Sequence, residues 1–332
     1  MLRLGIVGTN WITKRFVDAA HESGLFELRA VYSRRLEKAK AFAKDYPSVQ
    51  DFQTDLEQFM ASPSFEVVYI ASPNSLHFSQ AKAAIKAGKH VIVEKPICLN
   101  PKQMQELREL LAEHQGQFLF EAARHTHEPN YLAVKEAVAK LPVVQGATLT
   151  YMKYSSRYDA YLAGENPNIF SLKFAGGALQ DLGVYMVHCA VGWFGKPLNA
   201  QYFPTKLANG IDAKGVAILT YQDFTVTLNV GKTANSYLPG EIYGLKETIW
   251  MDNAADLKRV ELRTPTATRT LSQTPAENEL LAEAVAFGKV LANPDLPENK
   301  AQAQAWLEQT VTVNEVMYQL RQSSNLYFED EN

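Results

Sequence analysis

Cysteine is scarce, with Cys98 and Cys189 the only two in 332 residues. Two thiols cannot build a disulfide framework or a thiolate metal site, which fits a reducing compartment, and both read as small buried hydrophobes. No apolar run approaches the roughly 20 residues that span a bilayer. A basic excess is lacking too. The formal net charge is −3, so little is available to release phosphate counterions, which argues against nucleic acid as the main partner and gives no reason to invoke an anionic membrane surface. The chain opens on a strand-like stretch, not on a basic region followed by an apolar segment, and a cytoplasmic protein is expected. Internal repeats and low-complexity tracts are absent.

What is present describes an ordinary globular chain, 46% hydrophobic and 21% charged. Its length exceeds what one core usually holds, so two domains are expected. In the first, strands at Leu2–Gly8, Phe26–Tyr32, Val67–Ala71, His90–Val93 and Gln117–Phe120 alternate with helices at Asn10–Ser23, Leu36–Lys44, Ser75–Ala87 and Pro101–Glu113. Alternation of this kind with short connections implies an α/β, doubly wound parallel sheet of Rossmann type over residues 1–122.

The first turn tests for a dinucleotide. Aligned on the fingerprint G-x-G-x-x-G, the chain reads Gly8-Thr9-Asn10-Trp11-Ile12-Thr13, with only the first glycine present. Asn10 tolerates unusual backbone angles and can cap the helix, which keeps the turn plausible. After the second strand, an acid would suit a ribose 2′-hydroxyl, but the residues are Tyr32-Ser33-Arg34-Arg35. A hydroxyl and two guanidinium groups suit a 2′-phosphate, so NADP(H) is favoured over NAD(H). A solvated helix entrance is the plainer alternative for the two arginines. The loop Ser72-Pro73-Asn74 and His77 lies at the same carboxyl edge, where Asn74 or Ser75 can cap the next helix and Asn74 and His77 can line a nicotinamide or ribose pocket. For His77 alone, a bond to neighbouring backbone is the commoner outcome. Val91-Ile92-Val93-Glu94-Lys95-Pro96 reads as a buried strand ending at a charged pair, where open α/β sheets bind ligands. Pairing of Lys95 with Glu94 at a solvated strand end is the alternative.

From about Ala123 the pattern changes to an α+β domain with a large, mainly antiparallel sheet, expected over 123–322. After a helix at Pro129–Lys140 come strands at Val143–Tyr154, Leu198–Phe203, Val216–Tyr221, Phe224–Val230, Thr248–Asp252 and Leu257–Arg263. A helix from Gly177 to about Phe194 interrupts them, with Asp181, Tyr185 and His188 at i, i+4 and i+7 on one face. If that face meets the carboxyl edge of the first sheet, the column faces Lys95; a polar network that fixes the helix is the plainer reading. His125, His127 and Glu128 lack a third ligand cluster, and no metal is expected. Tyr158–Phe174 reads as a long loop that shapes specificity. Helices at Ala276–Leu291 and Lys300–Leu320 close the chain, and residues 323–332 are expected to fray.

Four segments carry a family resemblance: G-I-V-G-T-N-W-I at 5–12, A-S-P-N-S-L-H at 71–77, A-G-K-H-V-I-V-E-K-P at 87–96 and G-G-A-L-Q-D-L-G-V-Y at 176–185. With their spacing, the chain resembles the Gfo/Idh/MocA nicotinamide-dependent oxidoreductases. Asn10 stands where many members carry glycine and Tyr185 where many carry histidine, which places the chain nearer the D-x-G-x-Y members, of glucose-fructose oxidoreductase-like and dihydrodiol dehydrogenase-like kind. The resemblance implies hydride exchange with a secondary alcohol or carbonyl of a sugar, cyclitol or diol. It also implies a homodimer or homotetramer through the second domain's sheet and a last helix packed back near the first domain. Lys95 is then expected to stabilise charge on the substrate oxygen, Tyr185 to exchange the proton, Asp181 to orient Lys95 or a substrate hydroxyl, and His188 to serve as relay or contact. Gly8, Thr9, Asn10, Trp11, Ile12, Ser33, Arg34, Ser72, Pro73, Asn74, His77, Glu94 and Lys95 are expected around the dinucleotide. The alternatives are a reductase of a non-sugar carbonyl or conjugated substrate, and a non-catalytic NADP-binding regulator.

Overall fold

The computed structural model of the chain describes residues 1–329 and 331. Two compact units form, Met1–Arg124 with Ala276–Thr310, and His125–Pro275 with Val311–Asn332. Sequence reading closes the first domain at 122 and assigns 123–322 to the second, with the last helix packed back near the first; the first unit also takes in 276–310.

In the first unit the chain runs β1 (Leu2–Val7), α1 (Trp11–Glu22), β2 (Phe26–Tyr32), α2 (Leu36–Phe42), β3 (Asp51–Gln53), α3 (Leu56–Ala61), β4 (Val67–Ile70), α4 (His77–Lys86), β5 (His90–Glu94), α5 (Pro101–Glu113) and β6 (Leu119–Ala122). All strands pair in parallel in the order β3-β2-β1-β4-β5-β6. This is the doubly wound order, and its direction reverses between β1 and β4, where such sheets open a crevice at their carboxyl ends. β4 is buried along its whole length and β5 at Val91, Ile92 and Val93, as strands covered on both faces must be. Tyr69 of β4 stacks on Phe16 of α1 with ring centroids 3.8 Å apart, tying helix to sheet.

The second unit carries α6 (Pro129–Ala139), β7 (Gly146–Met152), α7 (Tyr158–Leu162), α8 (Val184–Phe194), β8 (Asn199–Lys206), β9 (Asp212–Thr220), β10 (Thr225–Gly231), β11 (Gly240–Tyr243), β12 (Thr248–Met251), β13 (Val260–Arg263) and β14 (Thr268–Thr270). Its eight strands form one sheet in the order β14-β13-β12-β11-β7-β10-β9-β8, antiparallel throughout except for β7 and β10. Leu149, Ala217, Leu228, Ile242 and Ile249 turn into a core with Met186 and Val187 of α8 and Tyr131 of α6. The other face keeps Phe203 and Val216 exposed. The segment expected to be a long loop is more ordered than its composition implies. It holds α7 and single turns at Asn168–Phe170 and Leu172–Phe174. The rings of Tyr158 and Tyr161 lie 5.5 and 5.6 Å from that of the buried Phe170, giving the segment its own small core.

Two helices close the chain, α9 (Leu281–Ala292) and α10 (Pro297–Ser323). The boundary expected at 122 misses the return because the apolar residues of α9 belong to the first core: Ala284, Phe287, Val290 and Leu291 join Phe16, Ala20 and Phe120. Phe287 stacks on Phe120 at 4.7 Å. Gly288 permits this approach, since a Cβ there would sit 2.6 Å from Leu25 Cδ1. α10 is continuous and contributes Ala303 to the first core and Val313, Val316, Met317 and Leu320 to the second. Of the tail expected to fray, residues 330 and 332 lie outside the described residues. Leu326 and Phe328 are buried, and the fully buried Arg321 pairs with Glu331.

Candidate active site

The β1–α1 turn is closed by three contacts. Gly8 sits at φ +108°, and a Cβ there would lie 2.7 Å from the Ala71 carbonyl oxygen, so the position requires glycine. Asn10 caps α1, its Oδ1 accepting from Thr13 N at 3.1 Å and Thr13 Oγ1 at 3.0 Å, while its Nδ2 donates to Ala71 O at 2.9 Å. The residue that departs from the glycine fingerprint thus stitches the turn to the end of β4. The first-turn N–H groups of Trp11 and Ile12 have no intrahelical acceptor, as at every helix start, and Trp11 is 70% exposed. Such a turn is a cradle for a pyrophosphate.

Beside it, Gly8 N donates to Tyr32 O at 3.5 Å, which sets the end of β2 next to the turn. Ser33 N donates to Gln53 O at 3.2 Å, and Ser33 Oγ accepts from Arg35 N. Arg35 leans on Glu37 at 3.5 Å with both side chains exposed, whereas Arg34 is exposed and, among the described residues, engages no acid. The residues fit an adenosine carrying a 2′-phosphate.

On the other side of β1, Ala71 N donates to Val7 O at 2.9 Å and Ser72 Oγ donates to Gln80 Oε1 at 2.7 Å. Asn74 and Ser75, expected as caps, stand inside a short turn ahead of the helix, whose N-cap position falls on Leu76. Asn74–Leu76 make a single 3-10 turn closed by Leu76 N to Pro73 O, and α4 begins at His77 without a side-chain cap. His77 also departs from the pocket-lining role. It is 1% exposed, with Nδ1 2.9 Å from Pro96 O and Nε2 2.9 Å from Ser72 O, so it ties the loops after β4 and β5 together. Burial holds its pKa below the ordinary value, Lys95 adding to the effect and the two carbonyls opposing it.

β5 ends at Glu94, followed by Lys95 and a cis bond to Pro96. Burial pushes the Glu94 carboxyl up, opposed by the Lys95 ammonium and by the hydroxyl of Tyr69, which donates to Glu94 Oε1. From β6, Glu121 Oε1 accepts from Ile97 N at 3.0 Å, fixing the chain just past the proline. Glycine turn, Ser72 loop and Lys95 therefore follow one another along a single sheet edge.

In the second unit the helix bearing the column is not uniform. Leu179–Gly183 wind as a wider π turn before α8 begins at Val184. Such turns recur at functional sites. Asp181 and Tyr185 emerge partly exposed among buried neighbours, but His188 is 2% exposed and lies inside, its ring 5.9 Å from that of His125. The i, i+4, i+7 spacing assumed a regular α-helix and a single accessible face; the face closes before its third member. Tyr185 is held by the rings of His125 at 4.8 Å and Tyr151 at 5.7 Å, and His125 Nε2 lies 3.0 Å from Tyr185 O. Burial and His188 push His127 down to about 3.

Four residues that sequence reading did not select support these groups: Tyr69 and Glu121 behind Lys95, and Lys232 and Asp212 around Asp181. Lys232 is ion-paired with Asp181. Asp212 Oδ2 accepts from Leu179 N at 2.7 Å and Tyr202 Oη at 2.9 Å. Only Lys232 left a readable trace. Val226, Leu228 and Val230 alternate into the core, and the same parity carries Lys232 inward.

Residues 2–122 match a family described as an oxidoreductase family with an NAD-binding Rossmann fold. An uncharacterised oxidoreductase of Escherichia coli (strain K12), YgjR, is 42% identical over 260 residues, 78% of this chain and 79% of that one. The Bacillus subtilis (strain 168) scyllo-inositol 2-dehydrogenase (NADP(+)) IolU is 41% identical over 263 residues, 79% of this chain and 80% of that one. In fold, the chain is similar to the crystal structure of KijD10, a 3-ketoreductase from Actinomadura kijaniata in complex with NADP and TDP-benzene, with a TM-score of 0.83, 20% identity and 97% of each chain covered.

Proposed function

The chain belongs to the Gfo/Idh/MocA family of oxidoreductases, and from that premise we propose that it is an NADP(H)-dependent enzyme exchanging hydride with a secondary alcohol or carbonyl of a sugar, cyclitol or diol. The observation that carries the reading is Lys95 at the carboxyl end of β5, on the same sheet edge as the Gly8 turn and Arg34. The nicotinamide, when bound, gives or accepts the hydride. The Gly8–Ile12 turn holds the pyrophosphate, and Ser33 and Arg34 hold the 2′-phosphate. Lys95 stabilises negative charge on the substrate oxygen, Tyr185 exchanges the proton with that oxygen, and Asp181 takes a neighbouring hydroxyl. The NADP-dependent relative and the NADP complex support the choice of nucleotide. The open face of the second sheet, with Phe203 and Val216, is the proposed surface of a homodimer or homotetramer.

Thermal-shift titration with NADP(H) and NAD(H), followed by oxidation of a polyol panel headed by scyllo-inositol, tests the reading. NADP(H) should give the larger shift. Lys95→Met should lose roughly 10²- to 10³-fold or more in kcat, the scale of a lost oxyanion donor, while keeping its NADP(H) shift. Full turnover in that variant would remove Lys95 from the chemistry.

A further inference from the structure

Lys232 follows β10 directly, and its side chain is 4% exposed against 23% for Asp181, the acid with which it pairs. Lysine is rarely that buried unless paired, and this one is paired with an acid that stays partly exposed. Its backbone is fixed on both sides, Lys232 N donating to Ala213 O at 2.8 Å and Lys232 O accepting from Ser155 N at 2.8 Å. The same short stretch anchors the entrance to the ordered 155–174 segment: Lys153 N donates to Gly231 O at 3.0 Å and Tyr154 N to Asn235 Oδ1 at 2.8 Å. From inside that segment, the Phe170 ring lies 5.9 Å from Lys232 Nζ. The turn bearing Asp181 is secured independently, by Asp212 accepting from Leu179 N. Lys232 therefore gives the acid and the segment beside it one common reference point.

We propose that Lys232 is a positioning residue of the reaction, its buried ammonium holding the Asp181 carboxylate in the orientation that receives substrate. The inference rests on the oxidoreductase reading in which Asp181 contacts substrate. The ammonium meets one carboxylate oxygen, Asp181 Oδ2, so what the contact requires is a buried positive charge held at that oxygen, which lysine or arginine can carry. Losing it frees the carboxylate to rotate, which weakens turnover, while the nucleotide site, built from other residues, is untouched.

Kinetics with scyllo-inositol as probe and NADP⁺ as oxidant, on wild type, Lys232→Met, Lys232→Arg, Asp181→Asn and the Met/Asn double variant, test this. Lys232→Met should lower kcat at least roughly tenfold with KM for NADP⁺ unchanged. Lys232→Arg should recover most of the rate, and adding Lys232→Met to Asp181→Asn should produce little further loss. Wild-type turnover in Lys232→Met, or losses that multiply in the double variant, would overturn the proposal. If wild type turns over no polyol, the functional reading fails separately, and the pair is judged by a cycle of melting temperatures on the same variants. Non-additive shifts with recovery by arginine sustain the positioning contact; additive shifts overturn it.

Discussion

Arg34 is defined by what surrounds it: a serine before it, an arginine turned toward Glu37 after it, and no acid of its own among the described residues. A guanidinium left in that state beside the Gly8 turn is ready for a phosphate, since charge-assisted bonds to phosphate are about twice as strong as neutral ones. Arg34→Ala should raise KM for NADP(H) roughly 10- to 100-fold, corresponding to about 1.5–3 kcal/mol for a hydrogen bond to a charged group, and leave KM for NAD(H) nearly unchanged. Steady-state kinetics with both nucleotides check it, and equal effects would return Arg34 to the role of a solvated helix entrance. Asn10 shows how a residue can break a motif and keep its purpose. Its side chain supplies the helix cap and the link to Ala71 that a glycine there could not, so the weak fingerprint understated the turn.

At the scale of elements, legibility followed length and burial. Val67–Ile70 and Val91–Val93 are readable because strands buried on both faces become unbroken apolar runs. Asp51–Gln53 and Thr268–Thr270, three residues each, are too short for alternation to register. The acid and phenol of the 177–194 helix were visible as polar exceptions in an apolar segment, but the π turn that separates their exposure from that of His188 has no signature in residue spacing. Nor could spacing show which strand would bring Lys232 to Asp181, since that depends on the sheet order. The entrance to this helix is tightly specified. Gly177 is at φ +100°, and a Cβ there would lie 2.0 Å from Asp212 Oδ1, on a carboxylate pinned by Leu179 N and Tyr202. Gly177→Ala combines a backbone penalty of about 1–3 kcal/mol with a collision that cannot swing away. It should lower the melting temperature by roughly 5 °C or more and impair turnover more than NADP(H) binding. A melting temperature within about a degree of wild type would show that the entrance can rearrange.

The molecule as a whole carries a bias toward neutral histidine. Of seven histidines, His21, His77, His90 and His127 all have pKa values held below the ordinary one, with burial the main cause in each. They are spread over both units, so their effect on acid tolerance is not local to one site. In the unfolded chain such a histidine takes up a proton as pH falls through about 6.5, whereas the folded form refuses it until lower pH. Because the unfolded state then binds more protons, stability must rise with pH in that window and be lost on acidification. For His127, held to about 3, the window runs from about 6.5 down to the folded value, with a slope approaching 1.4 kcal/mol per pH unit once the unfolded form is fully charged. Denaturant unfolding between pH 7 and pH 5 should show stability declining over that range. His127→Gln should flatten the decline by close to one proton, and His77→Gln should also flatten it, to an extent set by how far the Ser72 and Pro96 carbonyls offset burial. A profile as steep in His127→Gln as in wild type would mean that the folded protein accepts that proton and that His127 is not held neutral.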